Sequence, residues 1–282
     1  MTHYDISSLQ NGRIKQVVKL NNRRQRDAQQ ITVVEGLREI ERALDAGIMP
    51  IDAFICPDLL DAYGQTLVSR LKNNPQIQLC TVTTAVFAKI AYREASGGII
   101  LVIPYSSNSL DDLPLSDKPF LVVIDGAEKP GNLGAILRTA DGAGIDGLII
   151  TDTPGQGTDI HNPNVIRASL GTRFTVPIAA VKPEQAIDWL HEQGISILAT
   201  TPAADLLYTA VDLTEPVAIV MGSEAHGLDT TWLTAANQHV RIPMHGKADS
   251  LNLSTATALL LYECVRQRGE ISGNHKIFEA TL

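Results

Sequence analysis

The chain has 282 residues, 44% hydrophobic and 19% charged, which suits two globular domains and excludes a disordered polypeptide. Its three cysteines, Cys56, Cys80 and Cys264, lie far apart without a CxxC spacing, which argues against a zinc knuckle and a secreted disulfide framework and leaves each as a small buried apolar residue. The net charge of −8 counts against a nucleic-acid partner, and no apolar run approaches the ~18 residues of a membrane span.

In chain order, "MTHYDISSLQNGR" has no apolar signal core, so cytoplasm is the expected compartment. The acidic average hides a basic segment. Residues 11–30 hold Arg13, Lys15, Lys19, Arg23, Arg24 and Arg26 against the single acid Asp27. Such a segment is either a docking surface for phosphate backbone or a solvated helix face. "VVEGLREIERALDAG" predicts a helix, because Leu37, Ile40 and Leu44 recur at helical steps and Gly47 stops it. "IDAFIC", "IQLCTVT" and "GGIILVIP" predict strands; "LDAYGQTLVSRLKNN" and "TTAVFAKIA" predict helices. Residues 1–105 are therefore expected to form a small α/β domain. "PYSSNSLDDLPLSDKP", rich in Ser, Asp and Pro, predicts a linker over 106–118.

Residues 119–282 alternate more strongly. "FLVVID", "GLIIT", "TVPIA", "SILATT", "VAIVMG" and "HVRIPM" predict strands. Between them "NLGAILRTADGAG", "PEQAIDWLHEQG" and "DTTWLTAANQ" predict helices, as does the apolar C-terminal segment. Near-continuous apolar strands bounded by amphipathic helices indicate a parallel sheet covered on both faces.

Ligands of open parallel sheets sit beyond the carboxyl ends of the strands. That directs attention to the loops after Asp125, Thr201, Gly222 and Met244, all rich in glycine or polar residues. Gly142, Gly144 and Gly147 spell GxGxxG, but they end a helix and lead into a strand. A dinucleotide fingerprint needs the opposite context, so they are expected to terminate the helix. No metal-ligand spacing occurs, and no metal is expected. Before the last helix stand Ser250, Asn252, Ser254, Thr255 and Thr257, more hydroxyl and amide than a helix cap requires. The excess suggests a polar ligand held there. Arg138 lies outside the apolar stripe of Leu133, Ile136, Leu137 and Ala140, and Glu224 follows a strand end; each reads equally as a solvated side chain or a functional one.

Three segments taken together, "DGAEKPGNLGAILRTADGAGIDGLIITD", "AIVMGSEAHGLD" and "IPMHGKADSLNLSTATALLLYE", resemble in order and spacing the motifs of SpoU-type RNA ribose methyltransferases. These belong to the superfamily of knotted S-adenosylmethionine-dependent enzymes. The N-terminal region, with "VKLNNRRQRDAQQITVVEG", resembles the ribosomal-protein-like substrate-binding domain that many members carry.

The resemblance implies a C-terminal trefoil knot, an exception to the rule against threaded chains, with S-adenosylmethionine bent within it, a homodimer, and no metal. It implies that Asn132 and Arg138 are the pair of the first motif, Glu224 the acid of the second, and Ser250 and Asn252 the polar pair of the third. Gly222, Ile242, Met244 and Leu251 fall where the family holds the cofactor, and Thr200 and Thr201 where the preceding strand end touches it. Ala225 and His226 depart from the Gly-rich continuation common after the acid. Arg167 matches a recurrent arginine and, with Arg23, Arg24 and Arg26, is expected to contact RNA. The reaction implied is transfer of a sulfonium methyl to a ribose 2′-hydroxyl. The resemblance implies that Arg138 takes the hydroxyl proton, which requires a guanidinium held neutral beside the sulfonium. The alternative, preferred because a guanidinium is a donor and not a base, is that Arg138 clamps phosphate and stabilises the developing alkoxide while another group takes the proton. The added N-terminal domain favours ribosomal RNA over transfer RNA. An RNA-binding or ribosome-assembly protein without turnover, and a ligand sensor, are the competing readings.

Overall fold

The computed structural model describes residues 3–92, 96–126, 129–151 and 159–272. They fall into two compact units: Met1–Ser107 with Asp159–Thr175, and Asn108–Thr158 with Val176–Leu282. The irregular stretch at Pro154 and Gly155, and Ala127–Glu128 of the first motif, lie outside the described residues.

The smaller unit holds strands β1 (His3–Ile6), β2 (Ile31–Glu35), β3 (Asp52–Ile55), β4 (Gln78–Val82) and β5 (Ile99–Pro104), in the order β1-β4-β3-β5-β2. Its helices include α1 (Gly12–Lys19), α2 (Arg23–Gln29), α3 (Leu37–Asp45), α4 (Ala62–Lys72) and α5 (Thr84–Ile90). Ile14, Val17, Val86 and Phe87 of α1 and α5 pack in one core cluster with Phe54 and Val102. Ile40, Leu67 and Leu71 of α3 and α4 pack in another with Ala53 and Leu101. The helix expected from Val33 onward starts only at Leu37. Ile31, Thr32, Val33 and Val34 are β-branched, and the last three are buried as strand β2. Gly36, at φ +103°, then makes a turn that other residues resist.

The larger unit is a seven-stranded, all-parallel sheet: β6 (Phe120–Asp125), β7 (Gly147–Thr151), β8 (Ile178–Val181), β9 (Ser196–Thr200), β10 (Leu206–Leu207), β11 (Val217–Met221) and β12 (Gln238–Arg241). Their order is β10-β12-β9-β11-β6-β7-β8. After β6 comes α6 (Pro130–Ala143), opened by Pro130 and ended by Gly144 in the left-handed conformation, φ +65°. Gly147 opens β7, so the glycine run ends a helix and leads into a strand, the reverse of the strand-to-helix context of a dinucleotide fingerprint. Between β7 and β8 the chain forms α7 (Pro163–Ala168), part of the smaller unit; α8 (Pro183–Glu192), α9 (Thr230–Ala235) and α10 (Leu253–Ser272) complete the larger one. Ala186, Leu190 and the fully buried Trp232 cover the Leu121, Val123, Ile197 and Val220 face. Helix α10 packs against α6 and β11.

Residues 159–175 are held in the smaller unit by polar bonds as well as by Ile166 in its core. Thr32 Oγ1 donates to the His161 carbonyl at 2.6 Å, and Arg42 Nη1 to that of Leu170 at 2.6 Å. Buried Arg173 donates to the Ile160 carbonyl at 3.2 Å and to Ser106 Oγ at 2.9 Å. Arg26, expected on the basic docking surface, is instead buried. Its Nη1 donates to the Leu20 carbonyl at 2.6 Å and its Nη2 pairs with Asp159. An arginine so enclosed cannot meet a phosphate, whereas Lys15, Lys19, Arg23 and Arg24 are exposed.

His161 stacks its ring on Tyr105 with centroids 3.6 Å apart. Burial, then Arg173 and Arg26 nearby, pushes its pKa down to about 3. The unfolded chain protonates this histidine near its ordinary pKa of about 6.5, so between there and about 3 only the unfolded state binds the proton. Stability must therefore fall as pH drops through that window, by up to about 1.4 kcal/mol per pH unit from this group. In denaturant titrations, His161→Gln is expected to flatten that decline; an unchanged slope would show that the imidazole is not held neutral.

Candidate active site

At the carboxyl edge of the larger sheet, the loops after β9, β11 and β12 form a cleft of about 220 Å³. Thr200 and Thr201 line it from β9, Gly222 and Glu224 from β11, and Ile242 and Met244 from β12. Ser250 and Leu251 close it from the approach to α10. All six residues expected to hold the cofactor thus share one cleft.

Gly222 is required by packing. A Cβ there would lie 2.1 Å from the Gly227 carbonyl carbon and 2.3 Å from Leu228 N. The loop doubles back through paired backbone bonds, Ser223 N to Gly227 O at 3.1 Å and Gly227 N to Ser223 O at 3.0 Å. His226 N donates to Ser223 Oγ at 3.1 Å, so the Ala225-His226 departure still gives a closed turn. Thr200 Oγ1 is buried and has no hydrogen-bond partner among the described residues. Such a group on a cleft wall suits a polar ligand atom.

Beside the cleft, Glu224 gathers donors from two helix starts. Asn132 Nδ2, in the first turn of α6, donates to its Oε1 at 2.7 Å. Asn252 Nδ2 donates to the same oxygen at 3.0 Å and to Asn132 Oδ1 at 3.1 Å. Leu253 N, the first residue of α10, reaches Oε1 at 3.5 Å, and the Lys129 ammonium pairs with Oε2. Carboxylates are favoured at helix N-termini, where backbone N–H groups lack partners. The Lys129 hydrogen bond holds the Glu224 carboxyl below its ordinary range; partial burial opposes this, and Asn132 and the Leu253 N–H reinforce it. Asn252 also caps α10, its Oδ1 accepting from Ser254 N at 3.1 Å and Ser254 Oγ at 2.6 Å. Thr257 Oγ1 turns back to the Leu253 carbonyl at 2.8 Å. The unusual density of hydroxyls and amides before α10 therefore serves capping, the Glu224 link and the cleft wall together.

Arg138 stands apart. It is exposed on α6, does not line the cleft, and makes no hydrogen bond or ion pair among the described residues. Arg167 lies in the smaller unit, on α7, where Nη2 donates to Asn164 Oδ1 at 2.6 Å. Sequence reasoning missed Lys129, whose only signal was its place just before the helix-opening Pro130.

The SpoU rRNA Methylase family model matches residues 119–262, and a model for an MRM3-like substrate binding domain matches residues 11–101. The chain belongs to the SpoU rRNA methylase family. Its larger unit accordingly has that family's trefoil-knotted fold. A 23S rRNA (uridine(2479)-2'-O)-methyltransferase of Streptomyces viridochromogenes is 30% identical over 262 residues, 90% of this chain and 88% of that one. The structure of the SpoU methyltransferase AviRb from the same organism, in complex with the cofactor AdoMet, superposes with TM-score 0.84 at 29% identity, covering 94% of this chain and 100% of that one. An AdoMet-bound rRNA methyltransferase from Sinorhizobium meliloti gives TM-score 0.84 at 30% identity, covering 94% and 98%.

The network makes a specific prediction. Asn252→Asp keeps the cap of α10 but places a second carboxylate against Glu224, whereas Asn252→Ala removes the cap at a cost of about 1 kcal/mol. Denaturant unfolding near neutral pH is expected to find both variants destabilised, with Asn252→Asp recovering as pH falls through the carboxylate range and Asn252→Ala not. Equal pH profiles for the two would contradict the shared-carboxylate geometry.

Proposed function

We propose that this chain transfers the methyl group of S-adenosylmethionine to a ribose 2′-hydroxyl of ribosomal RNA. The observation that carries the reading is the convergence of Thr200, Thr201, Gly222, Ile242, Met244 and Leu251 on one cleft beside the Asn132–Glu224–Asn252 network. The cleft suits the cofactor: apolar walls at Ile242 and Leu251 for a flat base, and the unpartnered Thr200 hydroxyl for a polar group. Bound S-adenosylmethionine supplies an electrophilic sulfonium methyl. Ser250, from the cleft wall, orients cofactor or ribose.

Glu224 and Asn132 act by position, fixing the starts of α6 and α10. Arg138 has its guanidinium donors uncommitted among the described residues, so it can clamp an RNA phosphate and stabilise oxyanion charge developing on the ribose oxygen. The proton passes to an acceptor other than this guanidinium. Exposed Lys15, Lys19, Arg23 and Arg24 of the smaller unit support RNA as the partner, and the rRNA-modifying relatives support its class. No helix among the described residues is long and apolar enough to cross a membrane, consistent with work in the cytoplasm.

The active form we assign is a homodimer. Helix α10 exposes Thr255, Leu259, Tyr262 and Arg266 along one stripe, with Leu259 38% and Tyr262 50% exposed. Sedimentation of Leu259→Glu is expected to show a monomer where the wild-type chain sediments as a dimer; a wild-type monomer would remove this assignment.

Labelled methyl transfer to two separate pools, large-subunit ribosomal RNA and total transfer RNA, tests the activity. Label is expected in ribosomal RNA, falling by at least about a hundredfold in Arg138→Ala, within the loss that removal of one charge-stabilising donor produces. Cofactor affinity should be retained in that variant. Label confined to transfer RNA would overturn the substrate class, an active Arg138→Ala its role, and no label in either pool the activity.

A further inference from the structure

The smaller unit holds an aromatic side chain that is fixed without being buried. Tyr92, just after α5, is 51% exposed. Its backbone N–H donates to Glu35 Oε2 at 2.7 Å, and its hydroxyl accepts from Asn164 Nδ2 at 3.1 Å. The guanidinium carbon of Arg167 lies 5.0 Å from its ring centroid. Asn164 ties the set together, because its Oδ1 accepts from Arg167 Nη2 at 2.6 Å. Asn164 and Arg167 are three residues apart on α7 and share a face of it.

Exposed hydrogen bonds and cation–π contacts of this kind contribute little to folding, while ordering the side chains carries an entropic cost. What the arrangement gains is a planar π surface held in one orientation before any ligand arrives. Arg167 uses only Nη2 for hydrogen bonding among the described residues, so Nε and Nη1 can still donate. Glu35, the carboxylate of this cluster, is already engaged by the Tyr92 amide.

A flat ring with a cation over one face, that cation keeping open donors, fits a nucleobase stacked on the opposite face and attached to its phosphate. The base must be unpaired, since bases within a duplex are already stacked on one another. We propose that Tyr92 and Arg167 form a stacking platform for one unpaired nucleobase of the RNA substrate, with Arg167 also binding the adjacent phosphate. The proposal rests on the RNA-methyltransferase reading and adds to it a single-stranded element in the RNA, met by the smaller unit.

The test uses the full chain and a short single-stranded RNA carrying one 2-aminopurine, whose fluorescence is quenched on stacking. Binding by the wild-type chain is expected to quench it. Tyr92→Ala should weaken binding about tenfold without changing its salt dependence, because stacking releases no counterions. Tyr92→Phe should bind like wild type. Arg167→Gln should weaken binding and reduce the salt slope by about 0.7, the value for one phosphate contact on a single strand. S-adenosylhomocysteine affinity, unchanged in all three, verifies folding. Wild-type binding and quenching by Tyr92→Ala, with methyl transfer to ribosomal RNA intact, would overturn the platform and leave the enzyme reading standing. A Tyr92→Phe variant as weak as Tyr92→Ala would also overturn it, since the hydroxyl and not the ring would then matter. A wild-type chain that neither binds the RNA nor transfers methyl would overturn both.

Discussion

One carboxylate organises the larger unit. Glu224 accepts hydrogen bonds from Asn132 at the start of α6 and from Asn252 and the Leu253 amide at the start of α10, and it pairs with Lys129. The two helices pack on each other and reach this point from segments about 120 residues apart. At the start of α10 the carboxylate meets a backbone amide, that of Leu253, while α6 reaches it through the Asn132 side chain, so the charge is held by backbone and side chains together. The cleft depends on the same junction, because Glu224, Ser250, Leu251 and Leu253 all line it.

The loop carrying Glu224 can present it only because Gly222 has no side chain and Gly227 turns back upon it. Backbone geometry, carboxylate, helix caps and cleft wall thus form one connected arrangement. A chain selected only to fold could cap α10 with one residue; here the cap residue Asn252 also bonds Asn132 and Glu224. That shared use is what a binding site built across three loops requires.

Much of this was legible in the sequence, for identifiable reasons. The apolar strands "FLVVID" and "VAIVMG" announced a buried parallel sheet, and loops rich in glycine and hydroxyl residues marked its ligand edge. The order and spacing of three motifs carried the individual site residues. What stayed hidden depended on contacts distant in sequence. Arg26 looked like its neighbours Arg23 and Arg24, yet its partner Asp159 is 133 residues away. Val33, Val34 and Glu35 belong to strand β2, although the pattern of Leu37, Ile40 and Leu44 extended backward across Gly36 predicts helix there. The net charge of −8 argued against RNA, although the exposed cations of α1 and α2 are local and an average cannot register them. Tyr92 gave no signal at all, since its platform is assembled from α7, 72 residues further on.

The Glu224 junction shapes the cleft proposed for S-adenosylmethionine. Calorimetric titration of S-adenosylhomocysteine into the wild-type chain and into Glu224→Gln tests it most directly. Glutamine keeps the size of the side chain but removes the charge that Lys129 pairs with. Clear binding is expected of the wild-type chain, with a loss of at least about tenfold in the variant, the scale of one charge-assisted hydrogen bond. Equal affinities would contradict it.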